Sequence, residues 1–381
     1  MGDKVFFPNS TQFDKMNENL EMIARAVGSL VDVSAWEGVR RAVKVGNAPN
    51  LFPIGTQLVV HHDVYGDMLY DVVAHDYFKS VHDDKAHTMT LMSRDLLPIM
   101  QFDGHEAFYY AETELPAGTY NFTLPKATGM WEQGTYQFTL TEPLPKGGQL
   151  MLNGYDDEPI IGNVTIDVYA SGSATSATYT CQINLGSGGT NLGNFGAELN
   201  DFSRSVYGSN NYKESAIRQF LNSSAEVGKV WTPQTKFDRP PSWRNSIAGF
   251  VRGLDNSFLS VVGEVIVPCS ANNVYESPDS TVVKGSTYTV HDKFYLASQK
   301  EIFGASSNTV EDGSALFPYY ERAANADRIK YRASDGGASN WWTRTPHAST
   351  THLSSDVNSK GSINSDGVIA LLCPAVTCTI V

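Results

Sequence analysis

Gly118-Thr119-Tyr120-Asn121-Phe122-Thr123-Leu124 and Gly134-Thr135-Tyr136-Gln137-Phe138-Thr139-Leu140 repeat one pattern. In each copy Thr and an amide side chain alternate with an aromatic residue or Leu. A strand turns successive side chains to opposite faces, so this period of two predicts a pair of half-buried antiparallel strands. The surrounding stretch, 104–198, is rich in Gly, Thr, Tyr and Phe and poor in helix signals. Further strands are expected at 149–153, 163–169 and 177–185, with Gly186-Ser187-Gly188-Gly189 as a connector. The stretch reads as a separate β-sandwich-like module.

Working outward toward the N-terminus, period-two runs at 57–61, 68–74 and 87–92 predict three more strands. Ser34-Ala35-Trp36-Glu37 fits a capping box opening a short amphipathic helix over 35–45, with Gly46 as its stop. Before it, Phe13, Met16, Leu20, Ile23, Val27 and Leu30 form a heptad seam of under three heptads. Residues 1–34 are therefore read as a helical segment, either an oligomerisation stem or a helix packed on its own domain. Toward the C-terminus, Ile217, Phe220 and Leu221 mark a helix within 212–221. Strand-like runs follow at 261–267 and 293–297, then a helical turn at 298–303 closed by Gly304. The last fifty residues read as short strands and polar loops, ending in the apolar run 368–372.

Composition bounds the function class. The chain has 381 residues, enough for two or three domains at roughly 150 residues each. Its 28 basic and 41 acidic residues leave a formal charge of −13, without the basic footprint of a nucleic-acid binder. No apolar run is long enough to span a membrane, and the start carries no apolar signal core. Four cysteines are too few for a disulfide framework. A soluble protein folded in a reducing compartment is expected, without membrane insertion.

The common catalytic motifs are absent: no phosphate-binding glycine loop, no dinucleotide fingerprint, no nucleophile elbow, no H-E-x-x-H and no C-x-x-C. Six of the nine histidines fall between His61 and His105, but neighbours His61 and His62 on a strand point to opposite faces. They read as polar strand and loop residues, so no metal and no cofactor is expected. Cys373 and Cys378, placed on one strand, would also face apart and serve as small buried hydrophobes. Four Asn-x-Ser/Thr sequons read as chance matches without a secretory signal. One segment is unusual: among the 34 residues from Ala333 to Asp366 are 8 Ser, 4 Thr, 3 Asn and 2 His, half the segment. With Trp341, Trp342, Leu353, Val357 and Ile363 interleaved, this reads as an ordered polar binding surface on a rigid scaffold, or as a plain pair of surface loops.

Asn340-Trp341-Trp342-Thr343-Arg344-Thr345-Pro346 resembles the W-W-L-R-S-P motif of C-type-lectin-like domains common in gut bacteria and their phages. Ser215-Ala216-Ile217-Arg218-Gln219-Phe220-Leu221-Asn222 is similar to that family's S-x-[IL]-R-x-[WF]-L-N helix. Phe294 to Ile302 resembles its strand-to-helix step. Val357, Gly361 and Gly367 fall where the family has its closing strands, although Gly367-Val368-Ile369-Ala370-Leu371-Leu372-Cys373-Pro374-Ala375 departs from the family's G-V-R-P-A ending. The resemblance implies an α+β, C-type-lectin-like (formylglycine-generating-enzyme-like) domain built from 35–103 and 199–381. The β-sandwich-like module at 104–198 would be an insertion and 1–34 an N-terminal helical stem. It also implies kinship with the variable proteins of diversity-generating retroelements, of the phage major tropism determinant type.

The function this implies is a non-enzymatic receptor-binding protein on a phage virion surface, made in the bacterial cytoplasm. Its partner would be a host cell-surface protein or glycan receptor, and it would be a homo-oligomer such as a trimer. Trp341, Trp342 and Arg344 would be structural. The contact residues would be Asn340, Thr343, Thr345, His347, Ser349, Thr350, Thr351, His352, Ser354, Ser355 and Asp356. The alternatives are a structural head or tail decoration protein without diversification, and a formylglycine-generating-type enzyme. Without a Trp-Asn-Asp run or a Glu-Pro-Asn motif, calcium-dependent sugar binding is not expected.

Overall fold

A computed structural model describes residues 35–124, 131–153, 164–170, 175, 177–183, 188–192, 208–270, 287–304, 311–348 and 352–381. The heptad seam, and with it the stem expected over 1–34, lies outside these residues. The described chain opens with helix α1 (Trp36–Lys44), which buries Gly38, Val39, Ala42 and Val43 on one face. Ala35 occupies the N-cap without a side-chain hydrogen bond, so the capping box expected around Ser34 is not what starts this helix. Glu37 instead pairs with Arg40 at 3.0 Å. A single turn, α2 (Ala48–Leu51), leads into strands β1 (Gln57–His62), β2 (Gly66–His75), β3 (Met89–Ser93) and β4 (Asp95–Leu96).

Seven strands follow: β5 (Tyr109–Tyr110), β6 (Gly118–Leu124), β7 (Gly134–Leu140), β8 (Gln149–Asn153), β9 (Val164–Tyr169), β10 (Ala177–Ile183) and β11 (Thr190–Asn191). They form one sheet in the order β11-β6-β7-β10-β9-β8-β5. The two copies of the sequence repeat are β6 and β7, paired so that Tyr120 faces Phe138 and Phe122 faces Tyr136. On the outer face each Thr meets a Thr, Thr119 with Thr139 at 2.9 Å and Thr123 with Thr135 at 3.1 Å. On the inner face Phe122 stacks on Tyr136 at 5.3 Å and lies 5.0 Å from Phe108, closing a core that also buries Trp131, Leu150 and Ile166. Strand β10 pairs with β9 along 177–181 and with β7 at 182–183, carrying the sheet around this core.

The rest of the chain adds α3 (Ala216–Leu221), α4 (Asn256–Leu259), β12 (Val265–Ser270), β13 (Thr287–Asp292), β14 (Phe294–Leu296) and α5 (Gln299–Phe303). Short strands β15 (Lys330–Arg332), β16 (Ala338–Ser339), β17 (Trp341–Pro346), β18 (Leu353–Val357), β19 (Ile363–Gly367), β20 (Cys373–Pro374) and β21 (Val376–Ile380) complete it. The central sheet runs β1-β2-β3-β21-β14, so the last strand is inserted between strands from the start and the middle of the chain. All five residues of β21 are buried, its threonines included, because this sheet is covered on both faces. Thr379 settles its hydroxyl on Tyr295 at 2.6 Å.

Three expectations change. The α+β, C-type-lectin-like class does not hold: the chain is mostly β, 39% strand against 14% helix, in several sheets with a half-barrel. The helical segments are short, none of those described exceeding the nine residues of α1. The apolar run 368–372 is not a strand. It crosses from β19 to β20 as a loop, held by Val368 N donating to His352 O and Met100 N donating to Leu372 O. Cys373 and Cys378 therefore sit on different strands, β20 and β21, and not on one. Substituting Phe122→Ala, which empties the centre of the second core, should cost about 3–5 kcal/mol of unfolding free energy in denaturant titration.

Candidate functional site

The segment that carried the sequence argument is β17, and burial divides its roles. Trp341 and Trp342 point to opposite sides of the strand and are both fully buried. Trp341 Nε1 donates to Arg328 O at 3.2 Å and Trp342 Nε1 to Met100 O at 3.1 Å, with Phe102 edge-on to Trp342 at 5.5 Å. Arg344, two residues after Trp342, has no exposed surface. Its guanidinium grips Glu301 through two 2.7 Å bonds, reaches Ser314 Oγ at 3.0 Å, and donates to the carbonyls of Pro268 and Leu296, each at 2.8 Å. Glu301 is itself fixed by the capping box of α5, accepting from Ser298 N at 2.7 Å. Burial raises the Glu301 carboxyl above its ordinary range, and the guanidinium opposes that rise.

Five residues expected to meet a receptor are instead buried: Thr343, Thr345, Ser354, Ser355 and Asp356. Thr343 Oγ1 donates to Ser355 O at 2.7 Å, and Thr345 Oγ1 accepts from Gln299 N at 2.9 Å. The reason is that β17 and β18 form an interior hairpin, where Thr343, Thr345 and Ser354 bond neighbouring backbone groups instead of solvent. Asn340, His347 and His352 are half-buried, and Ser349, Thr350 and Thr351 lie outside the described residues.

Half-exposed polar chemistry also lies on β19, which the sequence reading passed over. Asn364 Nδ2 donates to Asp366 Oδ2 at 3.0 Å and to Asp356 Oδ2 at 3.4 Å. Asn340 Nδ2 reaches the same Asp366 oxygen at 3.4 Å, while its Oδ1 accepts from Ser359 N at 2.9 Å. Asn340, Asn364 and Asp366 are half-exposed, so three amide and carboxylate groups converge at the surface over a buried fourth. The i, i+2 spacing of Asn364 and Asp366 was the signal for one face of a strand. Asp356 has no exposed surface, and its Oδ1 has no hydrogen-bond partner among the described residues. Burial, with the charge of Asp366 adding to it, pushes the Asp356 carboxyl up to about 8, and the Asn364 bond pulls only partly back.

Elsewhere, His61 is exposed beside Asp67 at 2.8 Å while His62 is buried against Phe250 O at 2.9 Å, on opposite faces of β1. Among the described residues no group of three or more His, Cys, Asp or Glu side chains is arranged to hold a metal ion. No helix among them is long and apolar enough to cross a membrane. A family profile described as a domain of unknown function (DUF6273) matches residues 190–377, from β11 into β21 and including the whole polar segment. No curated protein and no solved structure shows a significant match to the chain.

Two outcomes follow. Replacing Arg344→Lys removes the fork and leaves Glu301 buried without a matching partner, so unfolding free energy should fall by roughly 3 kcal/mol or more. Asp356 has a folded-state value of about 8 against an ordinary 3.8, so the folded state holds a proton that the unfolded chain has released. Its contribution is therefore greatest below the ordinary carboxylate range and declines as pH rises toward 8. Melting temperatures should fall more steeply with rising pH for the wild type than for Asp356→Asn over that window.

Proposed function

We propose that this is a non-enzymatic binding protein of phage origin that presents a polar surface to a host cell-surface protein or glycan receptor at the virion surface. The observation that carries it is the convergence of half-exposed Asn340, Asn364 and Asp366 on a backbone locked by buried Trp341, Trp342 and Arg344. Side chains here can change without loosening the fold, which is how a binding face is built on a rigid scaffold. Amide and carboxylate groups match the hydroxyls of a glycan or the polar atoms of a protein loop. Each such hydrogen bond contributes only ~1 kcal/mol net, so useful affinity calls for several copies acting together in a homo-oligomer. The thiol chemistry of a formylglycine-generating enzyme finds little support, because burial pushes the thiols of Cys373 and Cys378 up and away from the reactive thiolate.

Sequencing the 3′ end of the gene and its downstream region across a population tests this reading. A downstream near-copy differing only at adenines should vary the codons of half-exposed positions such as Asn340, His347, His352 and Asn364. It should spare Trp341, Trp342 and Arg344. An invariant 3′ end without a near-copy would remove diversification. For the binding face itself, the double substitution Asn340→Ser and Asn364→Ser should weaken attachment of labelled protein to bacterial cells from the same community by about thirtyfold, two lost bonds at ~1 kcal/mol each. Its melting temperature should fall by no more than a few degrees, because Asp356 Oδ2 and Ser359 N lose a partner within the fold while half-exposed Asp366 exchanges its amide partners for solvent. Attachment equal to that of the wild type would favour a structural virion role.

A further inference from the structure

A cavity of about 260 Å³ is lined in part by Asp71, Arg94, Tyr319, Asp327, Lys330 and Tyr331. These residues come from β2, the β3–β4 junction, the turn at 318–320, the turn at 325–328 and β15 itself. Lys330 is 6% exposed. Its ammonium donates to Ser93 O at 2.5 Å and stands 5.6 Å from the Trp341 ring, and among the described residues no carboxylate forms an ion pair with it. An ammonium carries three donors, so this one is under-satisfied. Beside it, buried Asp71 accepts a hydrogen bond from Tyr319 Oη at 3.3 Å. Arg94 is exposed at the cavity, with no side-chain partner among the described residues. Loss of hydration lowers the Lys330 amine from 10.5 to about 8, with Asp71 and Asp95 pulling it up and Arg94 pushing it further down.

A buried amine, a phenol–carboxylate pair and a free guanidinium around one small cavity are a nucleophile, a proton relay and an anion anchor. We propose that this cavity captures a small anionic carbonyl compound, an aldehyde or α-keto acid, as an imine on Lys330. The lone pair of the neutral amine attacks the carbonyl carbon, and the carbonyl oxygen takes a proton from the Tyr319–Asp71 pair. The carbinolamine nitrogen returns a proton to that pair, the pair then protonates the hydroxyl, which leaves as water as the C=N bond forms, and the nitrogen gives its remaining proton back to the pair. Amine and carbonyl give imine and water, with no change of oxidation state. Arg94 holds the carboxylate of the ligand. This capture is independent of the polar face on β19.

Glyoxylate, the smallest anionic aldehyde acid, is the probe. The whole protein is incubated with it and cyanoborohydride at near-neutral pH, and each lysine is followed by peptide mass spectrometry. The lowered Lys330 value enlarges its neutral fraction, so it should be labelled about tenfold faster than exposed Lys44, Lys229 and Lys360, after allowance for its lower basicity. Its rate should saturate with glyoxylate, and Arg94→Gln should raise the half-saturating concentration while the exposed lysines label as before. Lys330→Arg should abolish the fast label; Arg94→Gln, on an exposed side chain, carries the test if that variant does not fold. Labelling of Lys330 no faster than the exposed lysines, or without saturation, would overturn the proposal.

Discussion

The C-terminal half of the fold depends on one buried ion pair, Arg344 with Glu301. Neither side chain has exposed surface, and removing two charges from water costs several kcal/mol unless geometry and further bonds offset it. Here the fork is bidentate, and the remaining guanidinium donors are taken by two backbone carbonyls and Ser314. Those partners lie on β12, the end of β14, α5 and the loop before residue 316. A planar group with fixed donor directions permits only one relative placement of these segments, so the pair sets position as much as stability.

Once Arg344 fixes β17, its neighbours have no freedom of face. Trp341 and Trp342 must turn to opposite sides, and each rests its indole N–H on a carbonyl from a distant segment. The wall they form keeps two ionisable groups out of water. Lys330 lies over the Trp341 ring. Asp356 stands across the strand pair from Trp342. Both are pushed toward their neutral forms for the same reason, loss of hydration without a full opposite charge. Polar groups held this way are expensive for a structure that needs only a packed core, which is why both flanks of the tryptophan wall attract functional readings.

Where the sequence was legible, the determining interactions were local. The repeat at 118–124 and 134–140 reads directly as paired strands because threonines and aromatics alternate in step. Ser298 and Glu301 close their capping box within one turn, and Gly304 ends the helix at a φ of 72°. Ser215 caps α3 by accepting from Arg218 N, without a reciprocal bond. The polar segment misled at Thr343, Thr345, Ser354, Ser355 and Asp356 because composition records hydrogen-bonding capacity and not which partner satisfies it. Strand β19, with the half-exposed Asn364 and Asp366, lay inside the same segment and was passed over.

The sequence by itself determined the alternating strands of the first half, the presence of the short helices and the importance of the Trp341 to Arg344 stretch, since each follows from backbone period or side-chain size within a few residues. Only the tertiary structure decided the fold class, the insertion of β21 between β3 and β14, and the faces on which the polar side chains lie. Those depend on pairing between segments hundreds of residues apart, such as Thr90 with Thr379, where register is set by burial on both faces of a sheet and leaves no periodic trace in either strand alone.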